Sequence, residues 1–256
     1  LIYRLRSFMQ LPPIVRIAGL DGCKAGWFYI LLEQDGDAIE FGVVDTVATL
    51  FERHAIERLW LDMALGFSDD VEGRACDKAA RKMLRADGIS RAASVFNPPS
   101  RQALYCRTYE QANALNKKVV GKGLSKQAWF IVPKMRELDG LLQQQPELKN
   151  CINECHPEIA FTALNSLIPM RFNKKTPEGY AERLAILRNY YPCADRVIDA
   201  ALAAYPRKVL MRDDVVDAFV VAISAKFGAA KVSYLPVLPK YDDLGICMAM
   251  VYWLEH

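Results

Sequence analysis

The chain has 256 residues, 52% of them hydrophobic and 25% charged, with a formal net charge of +3. This balance excludes a disordered chain, and no apolar run is long enough to span a bilayer. So small a charge also excludes a protein that clamps a long duplex by bulk basicity, so any contact with nucleic acid is expected to be local or brief.

The length predicts one α/β domain over residues 15–256, carrying a large insertion and preceded by an N-terminal arm at 1–14. Seven cysteines are widely spaced without a zinc-ligand pattern. Reduced cysteines and an N-terminus unlike a secretion signal predict a cytoplasmic protein with no membrane partner.

Val15 to Asp21 reads as a short apolar strand ending at the turn signal Asp21-Gly22. Trp27 to Leu32 is a second strand, and Asp35-Gly36-Asp37 turns the chain into a third at Ala38 to Val44. Tight turns between the three make an antiparallel meander. Thr46 caps a helix reaching about His54, with Leu50 and Phe51 inward. Arg58 to Asp62 follows as a strand, and a helix between strands implies a crossover to a parallel neighbour.

From about 66 to 150 the spacing becomes helical, over 72–86, 101–116 and 125–143. This predicts a helical insertion between the fourth and fifth strands, packed over one end of the sheet, with Pro133 kinking or splitting its third helix. Cys151 to Cys155 resumes the sheet and stops at Pro157. Thr176-Pro177-Glu178 is a helix start, 195–204 a short helix, and Asp213-Asp214 opens a long helix to Phe227. Ser233 to Val237 and Met248 to Trp253 are terminal strands. Two basic clusters, Lys117, Lys118, Lys122 and Lys126, then Arg171, Lys174 and Lys175, read as solvated faces.

The informative pattern is the position of acids relative to strand ends. Asp21 closes the first strand, Asp62 the fourth and Glu154 the fifth. In open α/β sheets ligands bind outside the carboxyl ends of strands, so adjacent parallel strands would bring these three acids together. Asp214 and Asp217 are three apart on the last helix, share a face and can swing over the same edge. Carboxylates so gathered repel one another unless a cation joins them, and hard ions such as Mg2+ or Mn2+ favour oxygen ligands. Plainer roles stand beside this one. An aspartate before glycine is a common turn former, and Asp213 or Asp214 can cap the helix they open. Asp217, among Val215, Val216, Phe219 and Val220, is harder to assign to the surface.

These motifs resemble the domain of unknown function 429 family (DUF429), a group expected to be ribonuclease H-like nucleases. The resemblance runs from Ile17 to the end. It rests on Asp21-Gly22-Cys23-Lys24-Ala25-Gly26-Trp27, Leu61-Asp62-Met63-Ala64-Leu65-Gly66 and Arg74-Ala75-Cys76-Asp77-Lys78-Ala79-Ala80-Arg81. Ser94-Val95-Phe96, Gly123-Leu124-Ser125-Lys126-Gln127, Glu154-Cys155-His156-Pro157-Glu158 and Asp213-Asp214-Val215-Val216-Asp217-Ala218 continue it. Ala64 departs from the usual proline, which touches packing more than chemistry. The resemblance implies a ribonuclease H-like mixed sheet with flanking helices. It also implies metal held by Asp21, Asp62, Asp214 and Asp217, with Glu154 as an extra acid.

His156 can position water or phosphate, bind metal, or serve as a structural hydrogen-bonding group. Gly121-Lys122-Gly123 before Ser125 can bind an anion through free amides, with Lys122, Lys126 and Gln127 as further donors, or form a plain capped helix. Lys24 and Arg101 are candidate phosphate contacts. Arg74, Asp77 and Arg81 have the spacing of structural ion pairs. The expected function is a metal-dependent nuclease or phosphodiesterase acting on nucleic acid or a small phosphodiester. A nucleotide-binding phosphotransferase of the actin and sugar-kinase type, and a non-catalytic scaffold, are the alternatives.

Overall fold

The computed structural model of the protein describes residues 15–86 and 88–255, so the N-terminal arm at 1–14 lies outside the described residues. The meander is present as β1 (Arg16–Cys23), β2 (Gly26–Glu33) and β3 (Ile39–Val44), all antiparallel. Helix α1 (Val47–Arg53) is capped by the Thr46 hydroxyl, which accepts from the Thr49 N–H. It crosses over to β4 (Ile56–Leu61), parallel to β1. The insertion carries α2 (Ala75–Met83), a two-residue hairpin of β5 (Arg85–Ala86) and β6 (Ile89–Ser90), then α3 (Arg101–Leu104), α4 (Tyr109–Val120) and α5 (Lys126–Gln144).

Strand β7 (Ile152–Glu154) then pairs parallel to β4. After α6 (Pro157–Leu164), α7 (Pro177–Tyr190), α8 (Ala194–Ala204) and α9 (Arg212–Phe227) come β8 (Ser233–Tyr241) and β9 (Cys247–Tyr252). The seven main strands lie in the order β3-β2-β1-β4-β7-β9-β8. This is an α/β fold with a mixed sheet, consistent with the ribonuclease H-like architecture.

Helices cover both faces, which is why β1, β2 and β4 read as nearly continuous apolar runs rather than alternating ones. Side chains alternate across a strand. Ile17 and Trp60 join the core under α9, while Ala18, Leu20, Leu59 and Leu61 join the opposite core under α1 and α5. The expectation that the insertion covers one end of the sheet is therefore corrected. Val132, Met135, Leu138 and Leu142 of α5 bury against the second face.

Two further expectations change. Helix α5 runs through Pro133 unbroken, because its apolar stripe is held against the sheet on both sides of the proline. The helix expected over 101–116 breaks at Tyr105 to Arg107, where Thr108 caps α4 by accepting from the Gln111 N–H. A third element, α6, is not foreseen in the sequence. His156 caps it and Pro157 takes its first position, so this proline opens a helix as well as ending a strand.

Gly19 decides how closely α9 lies on β1. A Cβ there would stand 2.2 Å from the Ala222 nitrogen and 2.4 Å from the Ala218 carbonyl oxygen. Those are backbone atoms of the helix, so relief requires α9 to move as a body. Gly19→Ala is expected to cost about 1–3 kcal/mol in urea unfolding. It should also weaken any stabilisation by divalent metal, since Asp21 and Asp217 stand on the two elements forced apart. Unchanged stability would show that the helix is not seated this way.

Candidate metal centre

The close approach of α9 to β1 brings three acids together. Asp21 stands on β1 with the parity of Ile17 and Gly19, so it points to the α9 face. Asp62 follows β4 with the parity of Trp60 and points the same way. Asp217 descends from the buried face of α9. One carboxylate oxygen from each of Asp21, Asp62 and Asp217 lies within 4.8 Å of the others. Asp217 is 1% exposed, whereas Asp21 and Asp62 keep a partly open side.

Electrostatics follow from that crowding. Burial raises the Asp21 carboxyl well above the ordinary range, and the neighbouring Asp62 and Asp217 charges add to it. Burial also raises Asp62, against the opposing influence of nearby His156 and of the Lys174 charge. Asp217 is pushed up to about 6 by burial, even though Lys174 opposes the shift.

Lys174 is the residue that sequence reasoning missed. Its ammonium donates to Asp217, lies 3.9 Å from Asp213, and is held far above its ordinary pKa by the charges of Asp217, Asp21 and Asp62 against the cost of burial. By sequence it belongs to a basic cluster that reads as a solvated face. The one signal in its favour is position, just before a capped helix, and nothing in that spacing points to an acid on α9.

Asp214 does not join the three. Its carboxylate reaches back to accept the Met211 N–H at 2.8 Å, closing the first turn of α9. It is pushed up to about 6 by burial, and the Lys24 charge in the β1–β2 turn reaches it. The expected metal ligand is thus spent on holding the helix from which Asp217 projects.

Glu154 corrects the expectation that all three strand-end acids meet. The strands are adjacent and parallel as expected, and Glu154 pairs in register with Leu61. That register gives Glu154 the parity of Ile152 and Leu61, so it faces away from Asp62. There it accepts from the buried Arg74 guanidinium and from the Leu65 N–H at 3.0 Å. Arg74 also meets Asp77 at 3.4 Å.

His156 lies near the acids but both ring nitrogens are engaged. Nδ1 accepts the Glu158 N–H at 3.2 Å, which leaves the proton on Nε2, 3.3 Å from the Ser94 carbonyl oxygen. Neither is left to bind a metal. Arg101 is committed as well, donating to Asp139 at 2.7 Å and to Asp242. Ser125 caps α5, accepting the Ala128 N–H at 3.0 Å. Lys126 lies over the Tyr109 ring at 5.9 Å, Gln127 is exposed on the first turn of α5, and Lys122 lines a small separate cavity of about 120 Å³.

Beside the acids is a larger cleft of about 720 Å³, walled by the segment entering α7, the end of α8 and the start of α9. Asp217 and Lys174 stand in its wall. None of Arg101, Lys122, Ser125, Lys126 or Gln127 lines it.

A family model described as "Protein of unknown function (DUF429)" matches residues 19–238. The chain is a DUF429 protein. The match takes in Asp21, Asp62, Lys174, Asp214 and Asp217, and with them both sides of the cleft. No curated protein and no solved structure matches this DUF429 chain. Among the described residues, no helix is long and apolar enough to cross a membrane.

Proposed function

We propose that this DUF429 protein is a metal-dependent phosphodiester hydrolase, a nuclease in the broad sense. Asp21, Asp62 and Asp217 would hold magnesium or manganese. The observation that carries the reading is the approach of three carboxylate oxygens to within 4.8 Å. All three donors are hard oxygens, the chemistry these ions favour. The cluster already holds a cation in the form of the Lys174 ammonium. When bound, such an ion supplies an activated water and neutralises phosphate charge.

The rest falls to the protein's own groups. Asp21 and Asp62, each only partly buried, leave the cluster accessible to a phosphate. Asp214 fixes the first turn of α9, and so the height of Asp217 one turn later. Lys174 lies in the segment before α7 with about a third of its side chain exposed, so it can leave Asp217 and meet a phosphate oxygen. Lys24, exposed in the β1–β2 turn, extends the same positive field. The substrate is nucleic acid or a small phosphodiester.

The test is a titration with Mg2+ and Mn2+ followed by thermal melting, alongside cleavage of labelled single-stranded and duplex oligonucleotides. A rise of several degrees and cleavage that needs the metal are expected. Stabilisation by ATP instead would favour the phosphotransferase reading, and indifference to both ligands would leave a scaffold.

A further inference from the structure

We infer that the cleft beside the three acids is a binding site for one or two unstacked nucleotides of a single strand, and that it excludes intact duplex. The position of the scissile bond in this inference rests on the hydrolase reading above; the binding itself does not.

The cleft is the right size and shape. Its volume of about 720 Å³ falls in the range of cavities that enclose small organic ligands. A space of this volume between helix ends holds a nucleotide or two and is too small for the cross-section of a duplex, which can offer it only a base or strand end taken out of the stack.

Its chemistry fits nucleotides at both ends. Tyr180 and Tyr205 line the cleft as half-buried aromatic rings that also pack on the core, and the Arg212 guanidinium lies over the Tyr180 ring, 4.7 Å from its centre. Aromatic and guanidinium planes of this kind accept bases without demanding a sequence. Lys175, Arg207 and Arg212 are exposed on the rim, and among the described residues none has a carboxylate within 4.0 Å. Arg74, Arg101, Lys174 and Arg183, by contrast, are all ion-paired. In a protein of net charge only +3, three cations without a carboxylate partner round one cleft form a local phosphate-binding field, set against Asp213 and Asp217 in the same wall. The N-termini of α7 and α9 open into the same space, adding peptide dipoles that favour an anion.

The connection to chemistry is Asp217, which belongs to both the cleft wall and the acid cluster. A nucleotide held in the cleft therefore lies beside the acid cluster, with Asp217 as the one acid of the three that both share.

Fluorescence anisotropy with fluorescein-labelled (dA)10 and with a labelled ten-base-pair duplex, both in EDTA, tests this without any turnover. The single strand is expected to bind at least tenfold tighter than the duplex. AMP should compete, and inorganic phosphate only weakly. Tyr180→Leu should weaken the single strand about tenfold while Tyr180→Phe stays within twofold, because the ring and not the hydroxyl does the stacking. Melting curves check that both variants fold, and Arg188→Ala, on α7 outside the cleft, serves as a surface control. Equal or tighter duplex binding, no binding of either probe, or a Tyr180→Leu protein that binds normally would each overturn the inference. A protein that binds (dA)10 in EDTA but gains no stability from Mg2+ or Mn2+ would keep the cleft and lose the hydrolase. A protein stabilised by metal that ignores (dA)10 would do the reverse.

Discussion

Asp217→Asn is expected to abolish metal-dependent cleavage and most of the metal-induced rise in melting temperature, without lowering the melting temperature in EDTA. The two halves of that result come from one geometry. Asp217 is 1% exposed and its carboxylate crowds those of Asp21 and Asp62. With no metal, its charge is repelled by Asp62 and favoured mainly by Lys174. Asparagine keeps the shape, can still accept from the Lys174 ammonium, and removes one buried charge from a site of several. With metal, the same substitution removes an anionic ligand. Loss of a removed acid in a catalytic unit commonly costs several orders of magnitude in rate, as triad substitutions in other enzymes illustrate. Asp21→Asn should behave alike. The measurement is melting with and without Mn2+, paired with oligonucleotide cleavage. An Asp217→Asn protein that melts far lower in EDTA would mark the acids as structural. Full cleavage by both variants would remove the site assignment.

What the sequence made legible, and what it hid, divides along one physical line. Local chemistry was readable. Thr46, Ser125 and Thr176 cap helices as expected, since a hydroxyl ahead of an apolar stripe has few other uses. The apolar runs of β1, β2 and β4 announce strands covered on both faces. Helix α6 escaped because Pro157, Ile159, Ala160 and Phe161 are all buried, so no polar face marks a period of 3.6. The site divides in the same way. Asp21, Asp62 and Asp217 could be suspected from strand ends and from a charge among apolar neighbours. Glu154 looked equivalent, because strand-end position is visible in a sequence and register is not. Its pairing with Leu61 turns it to the other face, toward Arg74. Lys174 was hidden for a related reason. Its partner is 43 residues away, and only the fold reveals that a loop before α7 hangs over α9.

The second large effect concerns pH, and its sign depends on whether metal is present. In EDTA, Asp217 has its carboxyl raised from 3.8 to about 6, so between those values the folded protein binds more protons than the unfolded chain. Stability must then fall as pH rises from about 4 to about 6, and level off above 7. For the interacting acids the loss is on the order of a few kcal/mol, roughly 5–10 °C in melting temperature for a chain of this size. Asp21 and Asp62, also raised, push in the same direction. Lys174 adds no slope in this window, since its ammonium is charged in both states until the pH passes the ordinary lysine range. Exposed Asp45 is held below its ordinary value by hydrogen bonds, and stability from that source is lost only as pH falls below about 4. Saturating Mg2+ or Mn2+ should oppose the trend, because the ion binds ionised carboxylates and displaces their protons. At a hundred times its dissociation constant, an ion contributes about 2.7 kcal/mol. Melting curves from pH 4 to 8, in EDTA and in excess Mn2+, should therefore diverge as pH rises. Parallel curves would mean that the three acids carry no shared charge for a cation to relieve. An EDTA curve that climbs with pH would mean that Lys174 alone keeps them ionised.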